Sequence, residues 1–390
     1  DMYAKCGLLA KAHQILKELP IRNEVSWSTL ISRYAQEGQG QEALDCFEEM
    51  QRDGINPDGI TFICILQACG SVGAIDRGTK THKDIVDRGL LKKNTNLGNA
   101  LVDMYVKCGV LDRARQVLEE LSHRDVVSWT SIIGGYAQQG QGHEALNCFE
   151  QMQREGIAPN QVTFISILKA CASIGAADKG EQIHDEIARR GLLERNVVIG
   201  NALIDMYAKC GVLGKAQVVL KQLHVRDIIS WNALIAGYAQ HEHGEEALNC
   251  FIQIQREGLS PNEITFTCIL KACGSIGAIE KGKEIHNEIV TRGLLQKNVV
   301  LGTALVDMYA KCSRIAKAQE VLENLPCRDI VSWNALLSGY SQEGRGHEAL
   351  NCFEHMQREG LFPNEFSFSC ILKACGSIGA LAKGIQVHNE

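Results

Sequence analysis

The sequence predicts an all-α solenoid, and three observations predict it. A thirteen-residue stretch recurs as EVSWSTLISRYAQ from Glu24, VVSWTSIIGGYAQ from Val126, IISWNALIAGYAQ from Ile228 and IVSWNALLSGYSQ from Ile330. Its tryptophans, Trp27, Trp129, Trp231 and Trp333, stand 102 residues apart, and so strict a period marks stacked repeats. Within the stretch Trp231, Leu234, Ile235 and Tyr238 fall at i, i+3, i+4 and i+7, one apolar helical stripe, and no strand pattern is visible anywhere.

Each period divides at its breakers into three helical hairpins of unequal length. The boundaries read as 1–23 (partial), 24–58, 59–94, 95–125, 126–160, 161–196, 197–227, 228–262, 263–298, 299–329, 330–364 and 365–390 (partial). In 24–58 the Trp helix is followed by a turn at Gly38–Gly40. A second helix then carries Ala43, Leu44, Phe47 and Met50 on one side and stops at Gly54, with Pro57 beyond. In 59–94 the helices are ITFICILQACGSVG and AIDRGTKTHKDIVDRG, closed by Gly89. In 95–125, NALVDMYVKCG precedes a helix whose apolar face is Leu111, Ala114, Val117, Leu118 and Leu121, and a short exit segment is expected to make this unit the shortest. One position changes between copies of the Trp helix while its surroundings barely do: Ser28, Thr130, Asn232, Asn334. A side chain that varies on a repeated scaffold is a candidate reader of something that varies.

Composition narrows the classes. The chain has 390 residues, 45% of them hydrophobic, which is ample for a core, and a formal charge of −6 with pI about 6.1. Diffuse basic attraction to nucleic acid is excluded, so any such binding must rest on local geometry. Most of the sixteen cysteines fall in columns: Cys6, Cys108, Cys210, Cys312; Cys46, Cys148, Cys250, Cys352; and Cys69, Cys171, Cys273, Cys375. Set in helices and without any CxxC, they are expected to be small buried hydrophobes with free thiols, in a reducing compartment. No apolar run reaches 18 residues, so no membrane span is expected. Asp1 corresponds to Asp103, Asp205 and Asp307, so the sequence is expected to be a fragment of a longer solenoid, with any targeting segment upstream.

The residues VSWNALLSGYSQEGRGHEALNCFEHMQREGLFPN resemble the pentatricopeptide repeat, and the alternation of three unit lengths is similar to its plant PLS-type subclass. FSFSCILKACGSIGALAKGIQVH resembles the long (L) motif and GNALIDMYAKCGVLGKAQVVLKQLHVRD the short (S) one, and the Trp units correspond to the P type. The resemblance covers essentially the whole chain. It implies a right-handed superhelix that binds single-stranded RNA, one nucleotide per unit, with the fifth and last residues of each unit choosing the base.

Carried onto this sequence, the fifth and last residues pair as Ser28 with Asp58, Asn99 with Asp125, Thr130 with Asn160 and Asn201 with Asp227. Further along they pair as Asn232 with Asn262, Thr303 with Asp329, and Asn334 with Asn364. The family's code then gives G, U, A, U, C, G and C. In the L units Ile63 with Asn94 and Ile165 with Asn196 offer no fifth-residue hydrogen bond, and Thr267 with Asn298 leans to A. The expected target is G-N-U-A-N-U-C-N-G-C. The chemistry is consistent: an Asn amide satisfies a pyrimidine edge, a short hydroxyl leaves room for a purine, and an ionised Asp only accepts. By the same resemblance Val25, Val127, Val198, Ile229, Val300 and Val331 would sandwich the bases, with Asn96 departing from the apolar pattern. Lys5, Lys107, Lys209 and Lys311 are phosphate candidates weighed evenly against solvated lysines.

Decoys are few. His184-Asp185-Glu186, His286-Asn287-Glu288 and His388-Asn389-Glu390 spell HxE, but the PCxxC of a zinc deaminase is missing, so they read as repeated surface histidines. Gly38-Gln39-Gly40 lacks the third glycine and the strand of a dinucleotide loop. No catalytic residue, metal or cofactor is expected, nor any small-molecule substrate. The resemblance implies a specificity factor for C-to-U editing or processing of RNA in a mitochondrion or chloroplast, with small editing accessory proteins docking on L units. The rivals are a protein-binding scaffold like the tetratricopeptide family and, disfavoured, an intact deaminase.

Overall fold

The computed structural model describes residues 2–389 except 92, 93, 195 and 297, with side chains described except at 4, 5 and 389. No strand occurs among the described residues. Packing divides the chain into two bodies, Asp1–Ile187 and Ala188–Glu390, each an all-α stack of helical hairpins.

In the first body the first helices of successive units lie side by side. Glu24–Gln36 packs on Gly59–Val72, that on Thr95–Lys107, that on Val126–Gln138, and that on Gln161–Ile174. Second helices such as Gly40–Arg52 and Gly142–Arg154 pack on their own first helix and on the next. The second body repeats the row with Val197–Lys209, Ile228–Gln240, Glu263–Ile276, Val299–Lys311, Ile330–Gln342 and Glu365–Ile378. The recurring thirteen-residue stretch coincides with one helix, Ile228–Gln240 in its third copy.

The stripe read from the sequence is the core. Trp27, Trp129, Trp231 and Trp333 are buried with the Leu, Ile and Tyr residues of their helices, and removing a side chain of that size from water contributes a few kcal/mol. Close approach between helices depends on several glycine columns, and Gly244 belongs to one of them. A Cβ built on Gly244 would lie 2.5 Å from Ile276 Cγ2 and 3.0 Å from the Ala272 carbonyl oxygen, so nothing larger lets the Gly244–Arg256 helix reach Glu263–Ile276. The latter helix ends on Gly277 in the left-handed region, φ 68, which a side chain would disfavour.

Three details differ from expectation. The short unit is short chiefly because its second helix is: Leu111–Glu120 has 10 residues where Gly40–Arg52 has 13. Leu121 leaves the helix in extended conformation and is itself buried, its Cδ2 2.5 Å from where a Cβ on Gly98 would stand. Two cysteine columns are buried, but Cys108, Cys210 and Cys312 are half-exposed and Cys6 is exposed. None of the sixteen cysteines is in a disulfide, and burial pushes the thiols of Cys46, Cys250, Cys273 and Cys352 up to about 12, away from nucleophilic use. His286 is a half-buried packing residue, its Nδ1 2.9 Å from the Tyr309 hydroxyl, with burial lowering its pKa.

Candidate nucleic-acid interface

The last residue of every unit is the N-cap of the next unit's first helix. From Asn23 and Asp58 through Asn364, each side-chain oxygen accepts the backbone N–H of the third or second helical residue, as Asp58 does from Thr61 and Asn262 from Thr265. Capping accounts for a column of short polar residues, since these satisfy an otherwise orphaned donor. At Asn99, Asn201, Asn232 and Asn334 the fifth residue of the preceding first helix reaches this cap.

In the P and S units the two side chains are joined. Asn232 Nδ2 donates to Asn262 Oδ1 at 3.0 Å, and Asn334 Nδ2 to Asn364 Oδ1 at 3.1 Å. Asn99 Nδ2 lies 3.1 and 3.0 Å from the two Asp125 oxygens, and Asn201 Nδ2 lies 3.2 and 3.3 Å from those of Asp227. Ser28 and Thr130 are linked to Asp58 and Asn160 through the hydroxyls of Thr61, 2.7 Å from Ser28 Oγ, and Thr163, 2.6 Å from Thr130 Oγ1. Thr303 is the exception, donating back to the Val299 carbonyl rather than towards Asp329.

The L units are not joined. Ile63 and Ile165 have nothing to offer Asn94 and Asn196. Thr267 donates to the carbonyl of Glu263 in its own helix, while Asn298 Nδ2 donates to the Glu263 carboxylate.

Three residues before each fifth residue, on the same helical face, stands an exposed apolar side chain. Val25, Val127, Val198, Ile229, Val300 and Val331 are 50–71% exposed, and Asn96 is exposed too. The register continues through the L units as Ile60, Val162, Ile264 and Phe366, which the sequence pattern alone does not single out. A signal for them exists all the same: each is the second residue after an Asn or Asp cap. Lys107, Lys209 and Lys311 each hold the aspartate one turn back at 2.8 Å, in exposed pairs of small energetic weight. Lys5 has its side chain outside the described residues.

At two of the caps hydrogen bonding fixes the charge. Burial alone would raise the Asp125 pKa, but the amides of Ser128 and Val127 and the Asn99 side chain outweigh it and hold the carboxyl below its ordinary value. Asp227 is lowered in the same way by Ser230 and Asn201. Both are acceptors only at neutral pH.

In each body a row of capped helices presents variable polar couples beside exposed apolar residues, the architecture of a helical-repeat protein. The sequence comparisons give the family. The PPR repeat family model matches residues 22–71, 124–173, 226–275 and 328–377, and a second PPR repeat model matches 99–126, 201–228 and 264–294. The chain belongs to the pentatricopeptide repeat family. Pentatricopeptide repeat-containing protein At4g18520, chloroplastic, of Arabidopsis thaliana is 36% identical over 96% of this chain and 60% of its own length. A mitochondrial relative of the same plant, At3g09040, is 35% identical over 100% of this chain and 38% of its own, so the chain spans only part of the relatives it matches. The crystal structure of the pentatricopeptide repeat protein PPR10 in complex with an 18-nt psaJ RNA element shares the fold, with TM-score 0.83 and 19% identity over 99% of this chain and 58% of that one. The all-α solenoid read from the sequence is therefore the fold found.

Proposed function

We propose that this chain is a sequence-specific single-stranded RNA-binding module, reading one nucleotide at each P or S unit. The observation that carries the reading is the couple between fifth residue and cap. Its atoms leave distinct groups for a base. Asn262 Oδ1 already accepts from the Thr265 N–H and from Asn232, so the pair offers the remaining amide N–H groups, which suit the acceptors O2 and N3 of cytosine. Asp227 offers a carboxylate oxygen where Asn262 offers N–H, which suits the N3–H of uracil. At Ser28 and Asp58, Asp58 Oδ1 takes both bonds from Thr61 and leaves Oδ2 as an acceptor for the N–H edge of guanine. Val127, Ile229 and their counterparts supply the apolar faces on which bases stack.

Relatives named chloroplastic and mitochondrial, and an RNA-bound PPR10 of the same fold, support an organellar setting and an RNA ligand. Within that setting the module serves as a specificity factor for editing or processing, with the L units free to dock accessory proteins. Fluorescence anisotropy with G-N-U-A-N-U-C-N-G-C against a scrambled RNA tests the reading. A preference of roughly tenfold or more is expected, since each base-edge contact is worth about 1–3 kcal/mol. Equal binding of the two RNAs would instead favour a protein-binding scaffold.

A further inference from the structure

A third side chain reaches the fifth residue at Ser28, Thr130, Asn201, Asn232 and Asn334. At Asn232 and Asn262 it is Thr265, the third residue of the next first helix and fully buried, with Oγ1 2.7 Å from Asn232 Oδ1 and 3.0 Å from Asn262 Oδ1. A hydroxyl has one proton, and an amide carbonyl has none to give. The shorter contact therefore takes the Thr265 proton. Asn262 Oδ1 does not need it, being supplied by the Thr265 N–H and by Asn232 Nδ2. The result is a fixed orientation: the Asn232 carbonyl is held inward and its N–H groups face the cap and the exposed side. Turning the amide over would set two carbonyl oxygens 3.0 Å apart, the separation now held by the hydrogen bond. Ser367 holds Asn334 in the same way at 2.6 Å, and Ser230 holds Asn201 at 2.6 Å.

With a serine as fifth residue and an aspartate cap the proton runs the other way. Thr61 Oγ1 is 2.6 Å from the Asp58 carboxylate, which takes its proton as the stronger acceptor, so Ser28 must donate to Thr61 at 2.7 Å and keeps its lone pairs for a ligand. The direction follows the fifth residue: an amide carbonyl can only take the proton, even with the Asp227 carboxylate 2.8 Å from Ser230 Oγ, whereas a serine can give its own. The L units supply the contrast. The same position after them holds Leu97, Ile199 and Leu301, and no hydroxyl reaches the couple.

Resting on the RNA-reading function proposed above, we propose that this hydroxyl is a positioning residue for base selection. Thr265, Ser230 and Ser367 fix which atoms of the fifth side chain meet the nucleotide; Ser128 and Ser332 turn instead to the carbonyls of their own caps, leaving Asn99 Oδ1 buried without a partner, and the leucine or isoleucine at this position leaves the L units without such a hydroxyl.

The test uses the 390-residue chain with Thr265→Val, which keeps the shape and removes the hydroxyl, and Thr265→Ser, which restores it. Affinity is measured for RNAs that differ only at the seventh nucleotide of the target, and for others that differ only at the sixth. Wild-type protein is expected to prefer C over a purine at the seventh by roughly fivefold or more. Thr265→Val should bring that ratio to within about twofold and leave the sixth untouched, with Thr265→Ser returning it towards wild type. Retained discrimination in Thr265→Val, or equal loss at both nucleotides, overturns the proposal. A wild-type chain that binds RNA without discriminating at either nucleotide overturns the underlying reading instead, so the two failures are told apart.

Discussion

Asn232 and Asn262, thirty residues apart, share one hydrogen bond from Nδ2 to Oδ1 at 3.0 Å. The same bond runs from Asn201 to the Asp227 carboxylate, so two neighbouring couples differ mainly in whether the cap carries N–H or oxygen at its second atom. Both caps also start a helix, so the proposed reading shares its side chains with folding, a role open only to Asn, Asp and a few other short polar types.

Asp227→Asn isolates that one atom. The variant keeps the N-cap, because an amide oxygen accepts the Ser230 N–H as the carboxylate does. Preference at the sixth nucleotide should move from U to C by roughly tenfold in relative affinity, with neighbours unchanged and stability altered by less than about 1 kcal/mol. Competition binding with RNAs varied at that nucleotide reads it, and an unmoved preference removes Asp227 from the readers.

Acid should affect stability before it affects reading. Asp125 and Asp227 have depressed pKa values in the fold, so their stabilisation is complete above the unfolded value, about 3.9, and is lost as pH falls through the folded ones. Between pH 8 and 5 both remain ionised acceptors. The preference for U at the third and sixth nucleotides should therefore be the same at pH 7.5 and pH 5.2 in parallel anisotropy titrations. A fall in that preference at the lower pH would mean the carboxylates are not the groups that choose U.

The fold was legible because a strict period and the tryptophan stripe report the same thing, a helix that buries one face against its neighbours. The hydroxyl between the couples was not. A Ser or Thr three residues after an Asn or Asp cap is what a capping box requires, and Thr265 does accept from the Asn262 N–H, so its second contact was hidden behind its first. Ile60, Val162, Ile264 and Phe366 were hidden for a different reason. In helices as apolar as Gly59–Val72, one more Ile reads as core, and only the structure shows it facing solvent.

Two glycines separate packing from propensity. Gly244→Ala places a Cβ against Ile276 and the Ala272 carbonyl and should cost about 1–3 kcal/mol, because backbone on one side leaves little room to relax. Gly214, in the Leu213–Gln222 helix, has open space where a methyl group would go, with no atom within 4 Å, and Gly214→Ala should stabilise by about 0.5–1 kcal/mol. Urea unfolding of the two variants beside wild type gives the signs directly, and a neutral Gly244→Ala would mean the helices can part without loss.

One buried donor distinguishes the first tryptophan from the rest. Trp129, Trp231 and Trp333 donate Nε1–H to Glu155, Glu257 and Glu359 at 3.2, 2.9 and 3.1 Å, and each glutamate also holds an arginine, as Glu257 holds Arg226 at 3.0 Å. At the corresponding place the first unit has Asp53. It keeps the arginine, Arg22, at 2.8 Å, but is one methylene too short to reach further, and Trp27 Nε1 is buried without a partner. An unsatisfied buried donor costs about 1–3 kcal/mol. Asp53→Glu should recover about 1 kcal/mol of that by completing both bonds, with the arginine contact preserved, and should raise the temperature at which the first tryptophan unit unfolds. Calorimetry on Asp53→Glu, with Trp27→Phe as the variant that removes the donor altogether, decides it. If the aspartate's length is the defect, the added methylene stabilises the wild-type chain and has no effect once Trp27 is phenylalanine. An equal gain in both backgrounds would trace the effect to helix propensity at residue 53 instead.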